Sequence, residues 1–321
     1  MPRHLLEVEN LTVRLAAGKA ARPILDGVSL HVAQGETVGL VGESGSGKSV
    51  TCRSVLGLFP EGAEADGSLR VDGNDVLTMP SARLRELRRR DVSMIFQDPR
   101  ASINPIRRIG DYVTEGMRAG GVSRDLALKR AEELLESVGI RDSHAALRRY
   151  PHEFSGGMLQ RVMIAGALAG EPRLLLADEP TTALDVTTQA EVISILTGLR
   201  TERAMAMLFV THDLELAAAI CDRIYVMYAG RIVEVQSAEG LFNRPRHPYT
   251  MGLLAATPRL DADRPRGVPG RPVSLADALT GCAFAARCAH ARPRCGEQEP
   301  VPQVIDDAQV ACLRAEELFD E

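Results

Sequence analysis

The sequence has no tryptophan, and aromatic residues make up only 4% of its 321 residues. It has no run of 18 apolar residues, which excludes a transmembrane helix, and its first residues lack the apolar core of a signal peptide. We therefore expect a cytoplasmic protein, unless partners hold it at a membrane. The net charge of −5 gives no whole-chain argument for nucleic acid, and we expect no nucleic-acid partner. The basic cluster at residues 83–90 is interpreted as a solvated helix face.

Short apolar segments alternate with segments of helical periodicity. We expect strands at residues 5–15, 28–32, 36–41, 173–177, 206–210 and 224–228. We expect helices at residues 49–58 and 124–138, within a helical pattern that extends over about 98–160. This alternation favours an α/β fold with a mostly parallel, covered sheet. Pro, Gly and charged residues dominate 257–275, which indicates a linker.

Residues 42–49 (GESGSGKS) fit the phosphate-loop pattern G-x-x-x-x-G-K-[ST] without a gap. Glycines let backbone N–H groups approach phosphates. The Lys48 ammonium would neutralise β- and γ-phosphate charge, and the Ser49 hydroxyl would bind Mg²⁺. A Gly/Ser-rich loop with an incidental lysine is the alternative, but the strand before it and the helix after it favour nucleotide binding. The predicted nucleotide ligands of the loop are Gly42, Ser44, Gly45, Gly47, Lys48 and Ser49.

Two further apolar strands end in polar residues that suit hydrolysis. Asp178 and Glu179 follow one strand, where Asp178 would orient the magnesium shell and Glu179 would polarise the attacking water. His212 follows another strand, at the carboxyl end where parallel sheets place ligand groups, and would hydrogen-bond the γ-phosphate. Each feature alone is weak, since acidic pairs after apolar runs are common and a lone histidine is more often structural.

These residues, taken in order, resemble the motifs of ABC ATPases. Residues 154–158 (FSGGM) are similar to the signature motif of that family. The order is the phosphate loop, Gln97 in MIFQDP, the signature, the Asp178–Glu179 pair, Asp185 in the sequence ALD, and His212. The resemblance covers residues 5–240 nearly continuously.

The resemblance implies a head-to-tail dimer that holds two ATP molecules between its subunits. Ser155, Gly156 and Gly157 would reach the γ-phosphate bound by the other subunit, and Asp185 would lie at the dimer seam. Gln97 would couple magnesium and water to a helical insertion that docks on membrane permeases. Without the resemblance, the Ser-Gly-Gly sequence is an ordinary turn and helix N-cap.

The C-terminal region is similar to one branch of the family, the oligopeptide/dipeptide importers. The sequence RHPYT at 246–250 resembles their C-terminal extension, and Met158 replaces the glutamine common elsewhere in the family. Those importers combine two different ATPase subunits, two permeases and an extracytoplasmic peptide-binding protein, which implies a peripheral place at the cytoplasmic face of the membrane. Importers of nickel and other solutes share this tail, an exporter is a further alternative, and HPYT also suits a simple helix cap.

The adenine site departs from the family pattern. Many members place an aromatic ring near residue 15 to stack on adenine, whereas this chain has Leu15 and no aromatic residue before Phe59. The planar guanidinium of Arg22 is an alternative stacking group.

Six cysteines are present, and four of them lie within the last 40 residues. Cys52 and Cys221 lie in apolar surroundings and are expected in the core. Cys282, Cys288, Cys295 and Cys312 form a cluster that suits iron–sulfur or zinc ligation, with unliganded thiols as the third possibility. No Cys-x2-Cys pair occurs, which disfavours a zinc ribbon. The spacing resembles peptide-importer tails that hold a [4Fe–4S] cluster, and we expect a structural or redox-sensing role.

We therefore expect a phosphate-loop ABC ATPase core with an antiparallel β subdomain and a helical insertion, followed by a small Cys-rich extension. The nucleotide-binding domain should cover residues 1–240, with its helical subdomain at about 98–160, and the extension should cover 241–321. A soluble ABC protein of DNA repair or translation would carry long coiled-coil insertions or a second ATPase domain. A phosphate-loop kinase would lack the Ser-Gly-Gly signature.

Overall fold

The computed structural model describes residues 4–15, 22–182, 184–256, 267–273, 275 and 280–319. Most of the expected linker at 257–275, and Ala183 of the ALD sequence, lie outside the described residues. The chain divides into two compact units. The first unit comprises Met1–Thr78 and Phe209–Glu321, and the second comprises Met79–Leu208.

The regular elements alternate between strand and helix along much of the chain. Up to residue 137 they are β1 (His4–Leu15), β2 (Arg22–Ala33), β3 (Thr37–Val41), α1 (Lys48–Ser54), β4 (Ala63–Val71), β5 (Asn74–Asp75), α2 (Ser81–Arg90), β6 (Val92–Ile95), α3 (Pro99–Ser102), α4 (Ile109–Ala119) and α5 (Arg124–Ser137). They continue as α6 (Ser143–Ala146), α7 (Gly156–Leu168), β7 (Leu174–Asp178), α8 (Val186–Arg203), β8 (Ala206–Thr211), α9 (Leu214–Ile220), β9 (Arg223–Tyr228), β10 (Arg231–Ser237), α10 (Ala238–Asn243), α11 (Pro248–Ala256), α12 (Pro293–Glu297), β11 (Gln303–Ile305), β12 (Ala308–Val310) and α13 (Ala315–Phe319).

The first unit contains an antiparallel sheet with the strand order β2-β1-β4-β5. Val8 in β1 pairs with Leu30 of β2 and with Leu69 of β4, and all three side chains are buried. Such cross-strand apolar pairs stabilise one face of a sheet. This sheet corresponds to the antiparallel β subdomain expected from the sequence.

The same unit contains a second sheet that begins with a parallel pair. All five residues of β3 are buried, and Leu40 pairs with Tyr225 of the parallel strand β9. A strand buried on both faces reads as a continuous apolar run, as the sequence TVGLV does. The expected parallel arrangement therefore holds for this pair.

Beyond β9, that sheet becomes antiparallel. β10 turns back along β9 and is followed by β12 and β11. Ala229 and Gly230 form the turn with positive φ angles of 45° and 73°, which suits a tight hairpin. We did not expect this hairpin, because alanine is not a typical residue at a turn position that needs a positive φ.

The second unit contains the parallel pair β6–β7, in which Val92 pairs with Leu174. The segment expected to be helical contains α3 to α7. Residues 162–165 of α7 are fully buried, and α7 packs against α4 and α5. A Cβ atom at Gly166 would lie 2.6 Å from a ring carbon of Tyr112, so α4 and α7 approach closely at this glycine.

Two helices test the sequence-based boundaries. α5 ends at Ser137, close to the expected position and just before Gly139, whose φ is +77°. α1 is shorter than the expected 49–58, because the chain turns after Ser54 and passes through Gly57 with a φ of +63°. None of the helices in the described ranges is long and apolar enough to cross a membrane.

Candidate nucleotide site and cysteine pocket

The phosphate loop connects β3 to α1, and close packing explains two of its glycines. A Cβ atom at Gly42 would lie 2.1 Å from the Met227 carbonyl oxygen. At Gly47, where φ is +108°, a Cβ atom would lie 2.7 Å from a methyl carbon of Leu25. Because neither position accepts a side chain, only glycine gives the loop this path.

Lys48 folds back over the loop that precedes it. Its Nζ donates hydrogen bonds to the carbonyl oxygens of Gly42 (2.7 Å) and Glu43 (2.9 Å), and the residue is 4% exposed. Ser49 is partly buried in the first turn of α1, while Ser44 and Gly45 are exposed. The ammonium group is thus held beside the loop backbone, where a phosphate group would approach.

His212 also belongs to the first unit. It is exposed and follows Thr211, the last residue of β8. The Thr211 hydroxyl accepts a hydrogen bond from the Asp213 N–H (3.0 Å), and the Asp213 carboxylate caps α9 by accepting from the Leu216 N–H (3.0 Å). The backbone on either side of His212 is therefore fixed, and it holds the exposed histidine at the carboxyl end of β8.

The second unit holds Glu179 between two side chains. Gln97 Nε2 donates to Glu179 Oε2 (3.2 Å), and the Thr182 hydroxyl donates to the same oxygen (2.9 Å). Asp178, the last residue of β7, is fully buried, and Glu179 follows with a φ of +48°. Gln97 and Glu179 were both predicted to serve hydrolysis, and the fold brings them together.

The signature segment in the same unit forms the start of α7. Ser155 is the N-cap, and its hydroxyl accepts a hydrogen bond from the Met158 N–H (3.3 Å). Gly156 has open space around it, whereas a Cβ atom at Gly157 would lie 2.6 Å from the Thr188 methyl carbon. Ser155 is therefore a helix N-cap, as the sequence alone indicated, and the residue is exposed.

Asp185 caps α8 close to the signature segment. Its carboxylate accepts hydrogen bonds from the N–H (3.0 Å) and the hydroxyl (2.8 Å) of Thr188. These bonds hold the pKa of Asp185 below its ordinary value. Since Thr188 also contacts Gly157, the two regions that were predicted to face a second subunit are joined through one threonine.

Arg22, the residue considered for adenine stacking, is a neighbour of Leu15, which stands where many family members have an aromatic ring. Leu15 ends the described part of β1 and pairs in register with Arg22 at the start of β2. Arg22 is exposed. The stacking role of Arg22 stays a prediction.

Several residues at these sites were not predicted from the sequence. Thr182 and Thr188 lie only three residues from Glu179 and Asp185, and this short spacing is a signal that could have identified them. Arg287 and Tyr249 contact Glu43 of the phosphate loop from 244 and 206 residues away. No local pattern indicates such distant contacts.

The four C-terminal cysteines line one pocket, together with His247, His290 and Phe284. Backbone N–H groups donate to their sulfur atoms: Phe284 to Cys282, His290 to Cys288, Arg292 to Cys295, and Arg314 to Cys312. The ligand set proposed from the sequence is therefore gathered in one place.

Burial changes the acidity of these thiols. It raises the pKa of Cys282 to about 11 and also raises the pKa values of Cys288 and Cys312, and the neighbouring cysteines add charge repulsion. Within the described ranges, no three His, Cys, Asp or Glu side chains are arranged to hold one metal ion. Cys52 and Cys221 are buried, as expected of core residues.

Comparison with known proteins identifies both halves of the chain. The ABC transporter family model matches residues 25–182, and the model of the oligopeptide/dipeptide transporter C-terminal region matches residues 233–295. The oligopeptide transport ATP-binding protein OppD of Salmonella typhimurium is 42% identical over 319 residues, which cover 98% of this chain and 95% of that protein. A Brucella abortus protein named as a peptide import ATP-binding protein is 45% identical over 312 residues, covering 96% and 94%.

Solved structures agree with these matches. A dimeric post-hydrolysis structure of the ATP-binding cassette MJ0796, bound to ADP and Pi, has a TM-score of 0.65 and 28% identity, and the match covers 73% of this chain and 98% of that one. The cbiO1 protein of Clostridium perfringens, part of the ABC transporter complex cbiONQ, has a TM-score of 0.64, 26% identity and coverage of 75% and 91%. The chain therefore belongs to the oligopeptide transport family of ABC transporter ATP-binding proteins.

Proposed function

We propose that this chain hydrolyses ATP to energise the import of oligopeptides across the cytoplasmic membrane. The observation that carries the proposal is its similarity, over nearly its whole length, to ATP-binding proteins named for oligopeptide transport. This similarity includes the C-terminal region at 233–295, which lies outside the general ATPase match. As a member of the ABC ATPases, the chain uses ATP and Mg²⁺.

The roles of the site residues within each unit follow from their chemistry. In the first unit, the loop from Gly42 to Ser49 would bind the phosphates through backbone N–H groups and the Lys48 ammonium, and His212 would bind the γ-phosphate. In the second unit, the Glu179 carboxylate would accept a proton from the attacking water. The Gln97 and Thr182 hydrogen bonds orient that carboxylate.

Magnesium would be held by oxygen ligands, as this hard cation prefers. Ser49, Gln97 and Asp178 supply a hydroxyl, an amide and a carboxylate, so the donor set suits the ion. Bound there, Mg²⁺ would neutralise charge that develops on the phosphates. Asp178 fits this role as a fully buried carboxylate at the end of β7.

A second ATPase subunit would complete the site. Ser155, Gly156, Gly157 and Asp185 would face the nucleotide bound by that subunit, which we propose to be a different chain. The supporting observation is that Ser155 is exposed while its backbone is fixed by the α7 cap. Two permeases and an extracytoplasmic peptide-binding protein would form the rest of the importer and hold the chain at the cytoplasmic face of the membrane. In this assembly, residues 1–240 would act as the ATPase domain and residues 241–321 as the importer-type extension.

The complete importer provides the test. The complex in lipid nanodiscs, with its binding protein, should hydrolyse ATP faster when oligopeptides are added. A complex with Glu179→Gln in this chain controls for hydrolysis at its own half-site. Stimulation by nickel or another solute, without any response to peptides, would assign a different cargo of the same transporter branch.

We further propose that Cys282, Cys288, Cys295 and Cys312 hold a [4Fe–4S] cluster. Thiolates are the usual ligands of such clusters, and hydrogen bonds that backbone N–H groups donate to the sulfurs stabilise the thiolates. Burial raises the pKa values of Cys288 and Cys312, and the positive charge of Arg314 opposes part of that rise.

Metal analysis distinguishes the possible states of this pocket. Anaerobically purified protein should contain about four irons and four sulfides per chain, the composition of the cluster. Serine variants of the four pocket cysteines should lose them. Cys221→Ser is the matched control, because Cys221 is buried outside the pocket and should leave the iron content unchanged. One zinc per chain, or no metal at all, would overturn the assignment.

A further inference from the structure

Glu43, the second residue of the phosphate loop, uses all of its polar groups in hydrogen bonds. Its carbonyl oxygen accepts from Lys48 Nζ (2.9 Å), and its N–H donates to the Tyr249 hydroxyl (2.9 Å). Its carboxylate accepts two bonds from Arg287, from Nη1 to Oε2 at 2.6 Å and from Nη2 to Oε1 at 3.0 Å. The Glu43 carbonyl oxygen also accepts from the Ser46 N–H (3.2 Å), so two partners, Lys48 and Ser46, belong to the loop, and the other two lie in the C-terminal part of the chain.

Arg287 is itself tightly held. Its side chain is 3% exposed, and its Nε donates to the Pro269 carbonyl oxygen at 2.7 Å. Nη2 donates to the Val268 carbonyl oxygen (3.3 Å), and Nη1 donates to the Tyr228 hydroxyl (3.3 Å). A bidentate guanidinium–carboxylate pair fixes both position and orientation. Because a buried arginine left without its carboxylate is costly, this pair ties residue 43 firmly to the C-terminal segment.

The segment that provides Arg287 also forms part of the cysteine pocket. Arg287 ends the single helical turn Ala285–Arg287 and directly precedes Cys288. The Phe284 ring lies 5.3 Å from the rings of both Tyr228 and Tyr249, measured between centroids. The Arg287 and Tyr249 side chains that contact Glu43 are thus both packed against the Phe284 ring.

We propose that Arg287 is a positioning residue for ATP binding, which acts by fixing Glu43 so that the phosphate loop is in its binding conformation before ATP arrives. A loop that is already ordered loses less conformational entropy when it binds its ligand. Lys48 Nζ donates to the carbonyl oxygens of Gly42 and Glu43 and would exchange these bonds for bonds to phosphate oxygens. The inference rests on the ATPase activity of the family. It depends neither on the transported solute nor on whether the cysteine pocket holds a metal.

Equilibrium binding of a fluorescent ATP analogue to the purified full-length chain tests the proposal. Arg287→Gln should raise the Kd for the nucleotide about 5- to 50-fold, the range of typical coupling between linked sites. Glu43→Gln should have a similar effect. The Kd of the double variant should be no higher than that of the single variant with the higher Kd, because both changes break the same pair. In ATPase assays, KM should rise while kcat changes less than about twofold, because Arg287 contacts neither the γ-phosphate nor the attacking water in this proposal.

Arg246→Gln is the matched control. Arg246 is a buried arginine of the same C-terminal region whose ion pair is with Asp306, not with the phosphate loop. It should lower the unfolding midpoint to a similar degree and leave the Kd within about twofold of wild type. Equal weakening by Arg246→Gln and Arg287→Gln would overturn the proposal, since it would indicate a general packing effect. If Arg287→Gln does not fold, an unchanged Kd in Glu43→Gln alone would overturn it.

Discussion

At the scale of single residues, the most constrained side chain of the second unit is Glu179. It follows a fully buried strand with a φ of +48°, a backbone region that costs a non-glycine residue about 1–3 kcal/mol. Two side chains, Gln97 and Thr182, hold its carboxylate in place. Strain that is maintained by surrounding contacts is typical of functional positions. This supports its proposed role as the base that activates water.

We predict that Glu179→Gln lowers kcat by about 10²- to 10⁴-fold, because an amide cannot accept the proton from water. ATP binding should persist, and the variant should accumulate as an ATP-bound dimer detectable by size-exclusion chromatography. Glu171→Gln is the control: Glu171 also has a positive φ (52°) but is exposed in the turn before β7. Retained turnover in Glu179→Gln would rule out the proposed role.

At the scale of elements, the start of α11 shows how the C-terminal region is attached. Glu234 of β10 is fully buried, and its carboxylate accepts hydrogen bonds from the N–H groups of Arg246 (2.5 Å) and His247 (3.0 Å). The His247 Nδ1 in turn accepts from the Tyr249 N–H (3.1 Å). The RHPYT sequence is therefore a helix start that a buried carboxylate holds, and it brings the Tyr249 hydroxyl to the phosphate loop.

His247 should make this attachment sensitive to acid. Burial lowers the pKa of His247 from 6.5 to about 4, so between these values the unfolded chain binds a proton that the folded chain does not. The free energy of unfolding therefore decreases by about 3 kcal/mol in total as the pH is lowered from 6.5 towards 4.

Urea unfolding at pH 7.5 and pH 5.0 measures this loss. His247→Gln should be less stable than wild type at pH 7.5 but should depend less on pH. His152→Gln, which changes an exposed histidine, should keep the wild-type dependence. An undiminished pH dependence in His247→Gln would show that other groups cause the acid sensitivity.

At the scale of the whole molecule, the predicted residues fall into two sets. Lys48 and His212 belong to the first unit, whereas Glu179, the signature segment and Asp185 belong to the second. The head-to-tail dimer would use Lys48 and Ser155 of one chain at two different nucleotides. In that proposed dimer, substitutions of Lys48 and Ser155 should have separable effects on ATP binding and hydrolysis.

We predict that Lys48→Ala abolishes ATP binding by the isolated chain. Ser155→Ala should bind ATP normally and hydrolyse it at least about tenfold more slowly when paired with its partner subunit, because an interaction that forms only in the closed dimer is lost. Ser237→Ala removes an equivalent N-cap, from α10, and controls for the loss of about 1 kcal/mol of helix stability. A binding defect in Ser155→Ala would contradict the division between half-sites.

Prediction from the sequence succeeded where the cause is local. The phosphate loop is recognisable because Gly42 and Gly47 are required by the backbone path within a few residues. The buried strands β3, β7 and β8 are recognisable because each is a short, continuous apolar run. The end of α5 was predictable from Gly139, whereas the early end of α1 was not, because the pattern of its side chains continues past the turn.

The amino-acid sequence by itself determined the phosphate loop, the order of the motifs and the four-cysteine spacing, since each depends on residues that are close along the chain or on their order. Only the tertiary structure decided that Gln97 reaches the Glu179 carboxylate, that the four thiols line one pocket, and that Arg287 holds Glu43. The physical reason is distance along the chain. A contact across 244 residues forms because strands and helices bring the two segments together, and neither segment carries a local pattern that specifies its partner.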